Sequence, residues 1–213
     1  MPLRNRVSPE GFIEAVAERG TMYGNRGGCF HRADQTLMPR QFATKQWICC
    51  VLQFKGRRRR LMQPGRFTEL FFLDEATAWA AGHRPCFECR RDDAVRFAET
   101  WNRIDGATGR AAAPAMDAQL HGERIDGQGR KVSFRAPFRD APDGALVRMR
   151  GVPGLVMDGR WLSWSFGGYG AAREVPAGEI VDVLTPRRMI ALMRAGLRPA
   201  VHASAKSLGS VIE

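Results

Sequence analysis

The sequence predicts an α+β fold, and three observations carry that reading. Residues 46–54 and 67–73 are apolar, aromatic-rich runs of strand length. Two segments of helical period flank a Cys-x-x-Cys spacing at Cys86 and Cys89. Beyond residue 105, short apolar runs alternate with Gly- and Pro-containing turns and close on one more helical segment. The predicted organisation is a cysteine-centred module over residues 1–105, followed by a small strand-rich unit with a C-terminal helix over residues 106–213. A chain of 213 residues that is 44% hydrophobic can bury a core.

In chain order, residues 7–19 read equally as a helix start at Ser8-Pro9-Glu10 or as a short strand. Residues 23–28, YGNRGG, read as a glycine-rich turn opening onto Cys29-Phe30-His31. Residues 46–54 predict a buried strand, the KGRRRR segment at 55–60 a basic turn, and residues 67–73 the returning strand. Asp74 is placed to cap a helix over residues 75–81, and Gly82 to end it. Ala94, Phe97, Ala98 and Trp101 recur at helical spacing and predict a helix over residues 92–101. Residues 104–114 read as a linker and 116–125 as a short helix with Leu120 inward. Asp158-Gly159 between Leu155-Val156 and Trp161-Leu162 predicts a hairpin. Residues 181–184 read as a strand. Thr185-Pro186 opens a helix carrying Met189, Ile190, Leu192 and Met193, with Gly196 at its end. Trp161, Trp164, Phe166 and Tyr169, around Gly167-Gly168, read as core filling for the small sheet or as the lining of a pocket, with core filling preferred.

The chain carries 33 basic and 22 acidic residues, a net charge of +11, and arginine dominates. The excess is spread over both halves. A basic surface of this kind suits a nucleic-acid partner, because the guanidinium fork matches phosphate. No apolar run is long enough to span a membrane, and the first residues lack the apolar stretch of a signal peptide. The expected location is cytoplasmic. Five cysteines, Cys29, Cys49, Cys50, Cys86 and Cys89, argue in that compartment for metal or core use rather than disulfides.

A Cys-x-x-Cys turn aims two sulfurs at one ion, and zinc needs two further ligands. Cys29 and His31 are two residues apart, so on extended backbone they share a face. The expected site is therefore zinc on Cys29, His31, Cys86 and Cys89. Cys49 and Cys50 face opposite sides of their strand, so at most one of them can join. Cys50 is the reserve ligand and Cys49 reads as core.

The stretch FFLDEATAWAAGHRPCFECRR, residues 71–91, resembles the second half of the zinc-binding domain of Ada-type DNA repair proteins. The match falls on Gly82, Arg84, Pro85, Cys86, Cys89 and Arg90, with His83 in place of an aromatic. Phe30-His31 resembles the start of that family's first ligand pair, but Gln35 stands where its second ligand belongs, and the insertion over residues 32–66 is longer than the family's. The resemblance implies an Ada-like zinc module associated with DNA. Methyl transfer to sulfur, the family's chemistry, loses force if neutral His31 replaces a thiolate.

The expected function is a zinc-containing, basic nucleic-acid-binding protein, with DNA the favoured ligand. The expected contacts are Arg57, Arg58, Arg59, Arg60, Arg84, Arg90 and Arg91, close to the site in sequence. Two other readings stand beside it. A zinc-dependent nuclease or other hydrolase requires an open metal position, with His83, His121, Glu123 and His202 as loose acid–base candidates. A non-enzymatic module would use its basic surface to meet an acidic protein. Asp74 and Glu75 read as helix cap and first-turn charge.

Overall fold

The structure is a computed structural model that describes residues 1–57 and 60–206. Arg58 and Arg59 of the basic turn lie outside the described residues. Its elements are β1 (Arg6–Val7), β2 (Ile13–Glu14), β3 (Met22–Arg26), β4 (Trp47–Val51), β5 (Leu70–Phe72), α1 (Glu75–Ala80) and β6 (Arg84–Pro85). Then follow α2 (Arg91–Ile104), α3 (Ala113–Arg124), β7 (Phe134–Pro137), β8 (Leu146–Met149), β9 (Val152–Met157), β10 (Arg160–Ser165), β11 (Gly168–Glu174), β12 (Ile180–Val183), α4 (Arg187–Arg194) and α5 (Ala203–Lys206). The class is α+β. No helix among the described residues is long and apolar enough to cross a membrane.

The first sheet has the order β2-β1-β5-β3-β4-β6, with β1–β5 and β4–β6 parallel and its other pairs antiparallel. Two expectations are corrected here. Residues 23–26 of the glycine-rich turn belong to strand β3, which lies between β4 and β5, so β5 does not return directly along β4. Gly24 and Asn25 have weak strand propensity, but Gly24 is required by packing. A Cβ there would lie 2.3 Å from the Ile48 carbonyl oxygen and 2.8 Å from the Phe72 ring. Of the two readings of residues 7–19, the strand is realised, as the β1–β2 hairpin.

The second sheet, β11-β10-β9-β8-β12-β7, is antiparallel throughout. Its β9–β10 turn places Asp158 and Gly159 at φ 51° and 70°, the left-handed pair that a two-residue hairpin demands.

Helix α1 is wedged between the sheets and is buried on every side. Ala78 and Ala81 pack with Val7, Leu70 and Phe72 of the first sheet. Ala76 and Ala80 pack with Leu146, Leu155 and Leu162 of the second. Trp79 joins Phe97, Trp101 and Trp161 in the largest cluster. Alanines let both sheets approach the helix closely, and larger side chains would overpack it.

Asp74 caps the helix as expected, accepting from the Thr77 amide at 2.8 Å, and its other oxygen accepts from the Tyr169 hydroxyl at 2.8 Å and the His202 amide at 2.9 Å. Glu75 accepts from Trp79 Nε1, Arg90 and the Ala200 amide. Both carboxylates are therefore consumed in tying α1 to the C-terminal segment. The boundary expected at 105/106 falls between α2 and α3. Phe97 and Trp101 on one side of it share a buried cluster with Met116, Leu120 and the second sheet on the other.

Candidate metal centre

Strand β4 decides which cysteine reaches the site. Its side chains alternate, so Trp47 and Cys49 face one side of the sheet and Ile48 and Cys50 the other. Cys49 is fully buried with Phe30, Leu70 and Phe72, as expected of a core residue. The parallel pairing of β4 with β6 sets Ile48 opposite Arg84 and Cys49 opposite Pro85, so the turn after Pro85 starts beside Cys50. The Cys86 amide donates to the Cys49 carbonyl at 3.0 Å, and the Arg90 amide closes the turn on the Cys86 carbonyl at 3.0 Å. The Glu88 amide donates to the Cys86 sulfur at 3.4 Å, which favours the thiolate.

The Sγ atoms of Cys50, Cys86 and Cys89 consequently lie within 4.8 Å of one another and can hold a metal ion. Tetrahedral zinc, with Zn–S of about 2.3 Å, needs an S···S edge of roughly 3.8 Å. Hydrogen bonding with Cys50 and then with Cys89 pulls the Cys86 thiol far down, while hydrogen bonding with Cys86 and then with Cys89, and after these burial, pushes the Cys50 thiol up. Three sulfurs this close together offer a donor set that suits a soft cation.

Cys29 and His31 do not join this group, a correction to the expected ligand set. Locally the i, i+2 geometry holds, with Cys29 Sγ 3.7 Å from His31 Nδ1. Yet the buried His31 ring is already used. Its Nε2 donates to the Gln63 carbonyl at 3.2 Å, and its Nδ1 accepts from the Thr68 hydroxyl at 2.7 Å. Cys29 instead lines a separate hollow with Arg60, Arg66 and Phe67. Cys50, the reserve, takes the place expected for Cys29.

The three sulfurs border a cleft of about 660 Å³ on the outer face of the first sheet. Tyr23, Ile48 and Phe71 form its sheet wall, and Phe54, Phe67 and Phe87 surround it. Phe67 and Leu52 are about half exposed. Lys55 and Arg57 lie over the Phe54 ring at 5.2 and 5.3 Å, and Arg6 lies over Phe71 at 4.8 Å. Arg57 also pairs with Glu88 at 2.8 Å.

The expected arginine contacts divide. Arg57, Arg60 and Arg91 are exposed. Arg84 is not available, because it is buried and makes a two-point pair with Asp117 at 2.9 Å for each bond. Arg90 is likewise bound to Glu75 and Asp93. Both arginines fix the knuckle in place rather than reach outward.

Of the acid–base candidates, His83 is fully buried against Phe72 and Trp47, and burial beside Arg26 and Arg124 keeps it neutral. Glu123 accepts from the Arg188 amide at 2.7 Å, and His202 pairs with Ser204. His121 lines a different pocket. None of the four borders the sulfur cleft. Comparison of the chain with protein-family models, curated proteins and solved structures returns no significant match.

Proposed function

We propose that the protein is a zinc-containing nucleic-acid-binding protein of the cytoplasm whose Cys50–Cys86–Cys89 centre lies beside the binding cleft. The observation that carries this reading is the meeting of three sulfurs, an open aromatic sheet face and a cationic rim in one place. Exposed rings such as Phe67 offer stacking surface to unpaired bases. Arg57 lines the cleft, Lys55 and Arg6 lie over its Phe54 and Phe71 rings, and all three suit phosphates, with Arg60 in the adjoining hollow. An unpaired strand, favoured here as DNA, uses both kinds of contact, whereas an acidic protein would not require the rings. The resemblance to Ada-type modules supports the zinc assignment at the knuckle alone. Gly82 of that motif has φ +83°, and a Cβ there would press on the Arg124 side chain at 2.5 Å.

A second reading has its own support. Three sulfurs supply three of zinc's four positions, which leaves one for water or a substrate atom and keeps a zinc-dependent hydrolase or nuclease in play. Glu69 is the buried carboxylate of this cleft, and it is held by the Met62 amide at 2.6 Å.

The test measures metal content, then binding of fluorescent single-stranded DNA, duplex DNA and RNA across a salt series. One zinc per chain, a preference for single strands and a log–log salt slope reduced by Arg57→Glu with Arg60→Glu are expected. Salt-independent binding, or an acidic protein that binds where no oligonucleotide does, would overturn the nucleic-acid reading. Metal-dependent cleavage of the oligonucleotide would establish the second reading.

A further inference from the structure

The opposite face of the first sheet carries a second cavity of about 620 Å³ whose chemistry is the reverse of the sulfur cleft. Arg26, from β3, and Arg124, at the end of α3, are both almost completely buried there. Their guanidiniums lie 4.0 and 3.9 Å from the centre of the same Trp47 ring. Lys131 joins them from the segment after α3 and donates to the Ala80 carbonyl. Two buried cations beside a third repel one another unless an anion intervenes.

The protein supplies little counter-charge. Among the described residues lining the cavity the carboxylates are Glu10 and Asp126. Glu10 pairs with Arg148 at 2.6 Å and Asp126 with Arg130 at 2.8 Å. Arg26 and Arg124 donate instead to backbone carbonyls of Gly11, Gln41, Gly82 and Lys45, and Arg26 Nε to the neutral His83 ring at 3.4 Å. Carbonyls satisfy N–H groups but leave the net charge standing. Arg124 Nε is buried with no hydrogen-bond partner among the described residues. His121, against Arg124 at 2.9 Å, is held neutral by burial and by that neighbour, so it can serve an anion as a polar wall group. Phe12 and Phe42 add apolar lining.

We propose that this cavity binds a phosphoryl group through Arg26, Arg124 and Lys131, independently of the cysteine centre. Phosphate is favoured over a single carboxylate because three cations converge and its tetrahedral oxygens can meet donors from several directions. The cavity is large enough for a small phosphorylated molecule, and the 5′ phosphate of a nucleic-acid strand has the same chemistry.

The experiment titrates the full chain with inorganic phosphate, a nucleoside monophosphate, and an oligonucleotide with and without a 5′ phosphate, at constant ionic strength. Calorimetry and melting temperature provide the readouts. Saturable one-to-one binding of at least one phosphorylated probe is expected, with sodium chloride of equal ionic strength unable to mimic it. Lys131→Gln should weaken that binding at least tenfold, Lys131→Arg should retain it, and the surface charge control Arg139→Gln should leave it unchanged. A nucleoside monophosphate that binds as tightly as the phosphorylated oligonucleotide identifies a small-molecule site, and preference for the 5′-phosphorylated strand identifies a strand end. No saturable binding of any probe to the unaltered protein, or equal binding by Lys131→Gln, would overturn the proposal.

Discussion

The two faces of the first sheet are built from neighbouring residues and have opposite chemistry. On β3, Tyr23 and Asn25 line the sulfur cleft while Arg26 lines the cation pocket. On β4, Ile48 and Cys50 line the cleft while Trp47 lines the pocket. One face gathers soft sulfur donors, and the other gathers cations whose hydrogen-bond acceptors are neutral carbonyls and imidazoles. Along β3 and over residues 47–50 strand alternation performs this separation, since one residue along the chain changes the side of the sheet. The kind of ligand proposed for each face therefore follows from parity, a cation on one and an anion on the other.

The largest effect that breaks this comparison is loss of the metal. Cys86→Ser with Cys89→Ser should abolish stoichiometric zinc and destabilise the protein by roughly 3 kcal/mol or more. That is less than the ~10–16 kcal/mol of zinc binding in isolated finger peptides, because the α1 core persists without it. Elemental analysis and chemical denaturation read the two quantities. Unchanged metal content and stability would remove the sulfur face from the comparison.

The next effect separates arginines that hold the fold from those that meet a partner. Arg84→Ala leaves Asp117 buried without its ion-pair partner and should cost about 3–5 kcal/mol in denaturation. Arg60→Ala should cost within about 0.5 kcal/mol of stability, as an exposed substitution does, and show its effect in the salt dependence of oligonucleotide binding. Equal stability of the two variants would contradict the burial of the knuckle.

A smaller effect sharpens the ligand assignment. His31→Gln should reduce stability by about 1–3 kcal/mol, because Thr68 and Gln63 lose their buried partner, and should leave metal content unchanged. Cys50→Ser should remove or weaken the metal at a similar cost in stability. Metal loss in His31→Gln and retention in Cys50→Ser would restore the site expected from the sequence.

What the sequence disclosed follows from the range of the interactions involved. Asp74 and Gly82 announced α1, and Asp158-Gly159 announced its hairpin, because caps and tight turns are decided within a few residues. Cys86 and Cys89 were legible for the same reason. The Cys29–His31 pair satisfied its local geometry but misled, since the position of a local pair depends on strand pairing. The parallel β4–β6 register that selects Cys50 joins residues 36 positions apart, Ile48 with Arg84, and has no local signal. Arg84 and Arg90 looked free because Asp117 and Glu75, their carboxylates, lie 33 and 15 residues away. Strand parity at Cys50 was readable, but its partner was not.

The smallest effect tests the cation face through pH. Burial first, then Arg26 and Arg124, pull the Lys131 ammonium from its ordinary 10.5 down to about 7, with Glu10 opposing. The guanidiniums stay charged, so Lys131 is the group that titrates. A base whose folded pKa lies below its unfolded value binds fewer protons when folded, so stability increases as pH rises through that interval. Between pH 7 and 8.5 the protein should gain on the order of 1–2 kcal/mol from this residue in denaturation, and Lys131→Gln should lose that gain. Saturating phosphate should flatten the slope further down the same path, because a bound dianion keeps Lys131 protonated and stabilises the protein more at pH 7 than at pH 8.5. A slope that neither phosphate nor Lys131→Gln alters would mean that the cations are held by carbonyls alone, and the contrast between the two faces would reduce to one ligand site and one structural bolt.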